Sequence, residues 1–103
     1  MMFHFGDEIY PGLAKLSEEC GEVVQVIAKL MATNGKYEHW SGINLNERLI
    51  EEIADLSAAI HFVTGELSHD ERYLVSERTR DKLNLFRKWH YEQKPVLAEM
   101  ETK

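Results

Sequence analysis

At 103 residues, with a formal net charge of −6, 44% hydrophobic residues and 29% charged residues, the chain has the size and balance of one soluble globular domain. The negative charge argues against a nucleic-acid-binding surface, which calls for clustered Lys and Arg, yet it leaves room for a phosphate-bearing small ligand, because a bound divalent metal reverses the local field. The single cysteine, Cys20, excludes an intramolecular disulfide. No apolar run approaches the roughly 20 residues that span a bilayer, and Met1 to Tyr10 lacks the basic-then-apolar pattern of a signal peptide, so a cytoplasmic protein with no membrane partner is expected.

The aromatic segment Phe3 to Tyr10 has the composition of a short docking helix. Pro11 suits the first turn of a first helix. Leu13, Leu16, Cys20, Val23, Val24, Ile27, Leu30 and Met31 follow at helical spacing, and Asn34-Gly35 is the stop signal. Gly21 lies inside this helix at a cost of about 1 kcal/mol relative to Ala; close packing, close approach of a ligand, or simple tolerance would each explain it. Lys36 to Asn44 reads as a loop carrying Tyr37, His39 and Trp40. A second helix opens near Asn44 or Asn46, with Glu47 in capping-box position, runs on Leu45, Leu49, Ile53, Leu56, Ile60 and Val63, and ends at Gly65. Ser68 and Glu71 open a third helix, expected to stop before Pro95. The fold class is therefore all-α, a single domain over 1–103 with its core at about 10–93 and a tail at 95–103.

Two acidic runs stand out, Glu18-Glu19-Cys20-Gly21-Glu22 and Glu51-Glu52-Ile53-Ala54-Asp55. At roughly 100° per residue, Glu19 and Glu52 each fall at the edge of their helix's apolar arc. Glu22 and Asp55 lie about 60° beyond them, and Glu18 and Glu51 further round, at about 100°. If the apolar faces pack together, both i, i+3 pairs converge. Such a group repels itself unless some carboxylates take up protons or a hard divalent cation neutralises them, and carboxylate oxygens suit Mg²⁺ or Mn²⁺. Most acidic runs are merely solvated helix faces; it is the matched pair of layouts that favours a site.

These motifs resemble those of the MazG-like, all-α nucleoside triphosphate pyrophosphohydrolase superfamily, which carries Glu-Glu-x-x-Glu on one helix and Glu-x-x-Asp on the next. Glu18 to Glu22 matches the first and Glu52 to Asp55 the second; Lys15-Leu16-Ser17, Leu56 and the later Lys82-Leu83-Asn84-Leu85-Phe86-Arg87 agree with their surroundings. The interval from Glu22 to Glu52 is long for the family, the extra residues falling in the Tyr37 to Trp40 loop. The resemblance implies a helical bundle, assembled as a homodimer or homotetramer, that hydrolyses a nucleoside triphosphate, a deoxynucleotide first, to the monophosphate and pyrophosphate with Mg²⁺, or Mn²⁺ in its place. It implies Glu19, Glu22, Glu52 and Asp55 as metal ligands and Glu18 as a further ligand or the group that orients the attacking water. Glu18 and Glu22 are the candidates for the catalytic carboxylate.

Lys82 points along the apolar face of the third helix with Val75, Phe86 and Trp89, which suits either a structural ion pair or a phosphate contact. Asn84, Arg87 and the loop residue Trp40 are the remaining substrate-binding candidates; Arg78 is a weaker one. Tyr37, His39 and Trp40, or Phe3, Phe5 and Tyr10, suit a stacked base or the edge of a small core equally. Cys20 falls inside the apolar arc and reads as a core residue; His61, opposite Glu52, reads as structural. The competing reading is a non-catalytic helical interaction module with a structural metal site. A carboxylate-bridged di-iron bundle is disfavoured, because neither run has a histidine at the Glu-x-x-His offset.

Overall fold

The computed structural model describes residues 8–36 and 42–101, with side chains up to residue 92. Three helices account for the regular structure, α1 (Leu13–Ala32), α2 (Leu45–Gly65) and α3 (His69–Glu101), and no strand element occurs among the described residues. The protein is all-α, and among the described residues no helix is long and apolar enough to cross a membrane. The chain divides into two compact units, Met1–Glu66 and Leu67–Lys103.

In the first unit, α1 begins two residues beyond the proline expected in its first turn. Gly12 is its N-cap, held at φ 88°, a left-handed conformation that glycine adopts without steric cost. A Cβ at this position would stand 2.6 Å from Cδ1 of Phe62 on α2, so the ring fixes where the helix starts. At the other end the expected stop is a Schellman cap. Asn34 turns left-handed at φ 56°, the Gly35 N–H donates to the Leu30 carbonyl at 2.9 Å, and the Asn34 N–H donates to Met31 at 3.2 Å. α2 opens as its sequence directs, with the Asn44 side chain accepting from the Glu47 N–H at 3.0 Å.

α1 and α2 pack against each other and run antiparallel, with Gly12 beside Phe62 and Glu22 beside Glu52. Val26, Leu45 and Ala59 form the buried centre, Leu45 completely so. Leu13, Leu16, Val23, Leu30, Leu49, Leu56 and Val63 are half-buried. Cys20, expected in the core, is exposed, as are Ile27, Ile53 and Ile60. The reason is geometric: one partner helix covers a narrower strip than the arc of more than 100° over which these apolar residues spread. A Cβ on Gly21 would meet nothing within 4 Å among the described residues, so packing of α1 on α2 does not demand that glycine.

In the second unit, Ser68 and Glu71 form a reciprocal capping box. The Ser68 N–H donates to Glu71 Oε1 at 3.0 Å, and the Glu71 N–H donates to Ser68 Oγ at 3.2 Å. The helix they start does not stop before Pro95. It continues to Glu101 and takes in the segment expected as a separate tail. A proline removes one helical hydrogen bond, to the carbonyl four residues back, at a cost of about 3 kcal/mol; a helix of 33 residues keeps its bonds on either side of that gap. Tyr73, Leu74, Leu83, Phe86, Trp89 and Tyr91 are exposed along α3.

Candidate metal centre

The i, i+3 pairs of α1 and α2 meet. Glu19 and Glu22 from α1 and Glu52 and Asp55 from α2 each offer one carboxylate oxygen, and these oxygens all lie within 4.8 Å of one another. The layout follows from the position of each pair on its stripe. Glu19 and Glu52, at the core edge, are buried, with 8% and 1% of their surface exposed. Glu22 is half-buried and Asp55 exposed. The cluster thus has a buried floor and an open mouth.

Few cations answer this charge. Arg48 reaches the floor, its Nη2 standing 3.0 Å from Glu52 Oε1 and its Nη1 3.6 Å from Glu51 Oε2. Lys15 pairs with Glu18, at 3.1 Å, and its charge opposes the rise at Glu19 without contacting the group of four. Among the described residues, Oε2 of Glu19 and Oε2 of Glu52 are buried without a hydrogen-bond partner, and orphaned buried acceptors of this kind are uncommon in folded proteins. Burial pushes the Glu19 carboxyl above the ordinary value, and the neighbouring Glu22 and Asp55 charges add to the effect. Glu52 is also pushed up, first by the Glu22 carboxyl pressed against it and then by burial, with Arg48 opposing. Two buried carboxylates that resist ionisation, each with a free oxygen, fit a hard divalent cation. The donor set is all oxygen and anionic, which suits Mg²⁺ or Mn²⁺ and excludes a zinc site of the Cys/His kind.

The other candidates fall in three places. Glu18 is exposed on α1 and lies outside the group of four, tied to Lys15. Lys82 is half-buried and Asn84, Arg78 and Arg87 are exposed, all on α3 in the second unit. Trp40, with Tyr37, His39, Phe3 and Phe5, lies outside the described residues. Tyr10 is half-buried just before α1, and His61 is exposed.

Two features escaped the sequence reading. One is Arg48, whose positions three and four residues before Glu51 and Glu52 were the available signal. The other is an open cleft of about 670 Å³ that continues from the carboxylates. Glu19 and Asp55 line its acidic end; Pro11, Gly12 and Lys15 come from the start of α1, and Ala58, Ala59 and Phe62 from α2. Its signal was spacing: Gly12 and Lys15 precede Glu19 by seven and four residues, and Ala58, Ala59 and Phe62 follow Asp55 by three, four and seven, all on the acidic stripe.

No protein-family model matches the chain, and no curated protein and no solved structure is significantly similar to it.

Proposed function

We propose that this protein is a Mg²⁺-dependent nucleoside triphosphate pyrophosphohydrolase that works as a homo-oligomeric helical bundle. The observation that carries the reading is the convergence of Glu19, Glu22, Glu52 and Asp55 within 4.8 Å on two packed helices. The ordered motifs of the MazG-like superfamily, which supply these same residues, support it, as does the cleft that opens beside them.

Under this reading Glu19, Glu22, Glu52 and Asp55 hold the divalent cation, and Arg48 keeps Glu52 in place from outside. When bound, the cation neutralises the triphosphate and polarises the phosphoryl group under attack. Glu18 or Glu22 orients the attacking water and accepts its proton. Water adds at phosphorus, the bond between the α and β phosphates breaks, and pyrophosphate leaves with the electron pair.

The test is a panel of ribo- and deoxyribonucleoside triphosphates incubated with protein and Mg²⁺, with the products separated by anion-exchange chromatography. Monophosphate and pyrophosphate in equal amounts are expected from at least one nucleotide. Asp55→Asn should lower turnover by more than about a hundredfold, since even partners that only orient metal ligands are worth ten- to a hundredfold. Release of diphosphate and phosphate, or no turnover across the panel, would overturn the reading.

A further inference from the structure

The cleft beside the carboxylates has a polarity gradient that cation binding does not require. At one end stand Glu19 and Asp55; at the other stand Gly12 and Phe62, with the small side chains of Ala58 and Ala59 between. Phe62 is an unusual wall. Its ring comes down on Gly12, where a Cβ would lie 2.6 Å from Cδ1 and 3.0 Å from Cε1, and the φ of 88° at Gly12 favours glycine there. The ring is thus fixed against backbone, yet 58% of the residue stays exposed. A fixed, exposed aromatic face in a cleft suits a flat aromatic ligand.

The acidic end points to the rest of that ligand. Oε2 of Glu19, a residue 8% exposed, is buried and has no partner among the described residues, which calls for a cation or a donor. Asp55 and Phe62 are seven residues apart on α2, about 10 Å along the axis. That leaves room for a sugar between a stacked ring and a cation-bearing phosphate. The cleft volume of about 670 Å³ falls within the roughly 300–1,000 Å³ of small-molecule sites.

We propose that this cleft is the nucleoside pocket, with Phe62 stacked on the base, and that it reads the base by shape and stacking with little hydrogen-bond readout. This rests on the pyrophosphohydrolase reading above. Among the described residues, the polar side chains of the lining are Lys15, Glu19 and Asp55. Lys15 is held by Glu18, and the two acids belong to the carboxylate cluster. Among the described residues, no other lining side chain offers a donor–acceptor pattern for a base edge. Sites that hydrogen-bond a substrate group reject analogues lacking it by ten-thousandfold or more, whereas apolar pockets separate similar ligands by roughly a hundredfold. The four common deoxynucleotides should therefore differ in kcat/KM by about a hundredfold or less.

The experiment is steady-state kinetics on all four deoxynucleotides with wild type, Phe62→Ala and Phe62→Trp, together with Mn²⁺ affinity and binding of a non-hydrolysable triphosphate analogue by calorimetry. Phe62→Ala should raise KM by about tenfold or more for every base, as expected for loss of a stacking partner, with kcat and Mn²⁺ affinity nearly unchanged. Phe62→Trp should restore KM. An active wild type whose KM is indifferent to Phe62→Ala would overturn the pocket while leaving the hydrolase reading intact. So would a preference for one base above a thousandfold. A wild type that neither hydrolyses the nucleotides nor binds the analogue would overturn the hydrolase reading and the pocket with it.

Discussion

Replacing Glu52 with glutamine should do two opposite things. Glu52 is 1% exposed, its Oε2 has no hydrogen-bond partner among the described residues, and its carboxyl is held above the ordinary value by Glu22 and by burial. Glutamine keeps the shape, removes the charge and brings an N–H₂ that can donate to a neighbouring carboxylate. In EDTA at pH 7, Glu52→Gln should therefore melt higher than wild type. The pH dependence has a definite sign. Glu19 and Glu52 hold protons in the folded metal-free protein that the unfolded chain gives up near 4.5. Stability contributed by these groups is highest below that value, falls as pH rises toward their raised folded values, and is flat above them. With Mg²⁺ the order reverses. A cation at a hundred times its dissociation constant adds about 2.7 kcal/mol to the native state, or roughly 10–20 °C in Tm for a chain of this size. Wild type should show that gain at pH 7 and lose it as pH falls and protons compete; Glu52→Gln should show little of it at any pH. Thermal melts by circular dichroism across pH 4.5–8, with and without Mg²⁺, read all of this. A variant less stable than wild type in EDTA, or as responsive to Mg²⁺, would refute the reasoning.

Two further substitutions probe what surrounds the carboxylates. Arg48→Ala removes the guanidinium 3.0 Å from Glu52; the metal-free protein should melt lower, and saturating Mg²⁺ should recover most of the loss, because the cation supplies the missing charge. A loss that Mg²⁺ leaves untouched would mean that Arg48 acts through packing alone. Gly12→Ala places a Cβ 2.6 Å from the Phe62 ring at a φ of 88°. Left-handed strain alone should cost about 1–3 kcal/mol, read in a melt as a Tm lower by roughly 5–20 °C, and a Tm within a degree of wild type would refute the close approach.

Much of this was legible in local sequence. Asn44 with Glu47, Ser68 with Glu71, and Asn34-Gly35 each set a helix end through hydrogen bonds between near neighbours, so chain spacing was enough to find them. The angular positions of Glu19, Glu22, Glu52 and Asp55 foretold their convergence because the two stripes match and the helices pack along them. What did not show depended on distant pairs or on how much surface a partner covers. Cys20 shares the apolar arc of α1 but lies at its far edge, beyond the strip that α2 covers. The start of α1 was set by a ring fifty residues away in sequence, Phe62 against Gly12. Pro95 misled because its penalty is local, and α3 runs on past it.

The proposed function stands on the four carboxylates of α1 and α2 forming one divalent-cation site. Titrating metal-free protein with Mn²⁺ at pH 7 and following the free-ion electron paramagnetic resonance signal tests it directly. Saturable binding at a fixed stoichiometry per chain is predicted for wild type, lost in Glu19→Gln and in Asp55→Asn. A free-ion signal in wild type that rises linearly from the first addition, or binding that survives both substitutions unchanged, would contradict it.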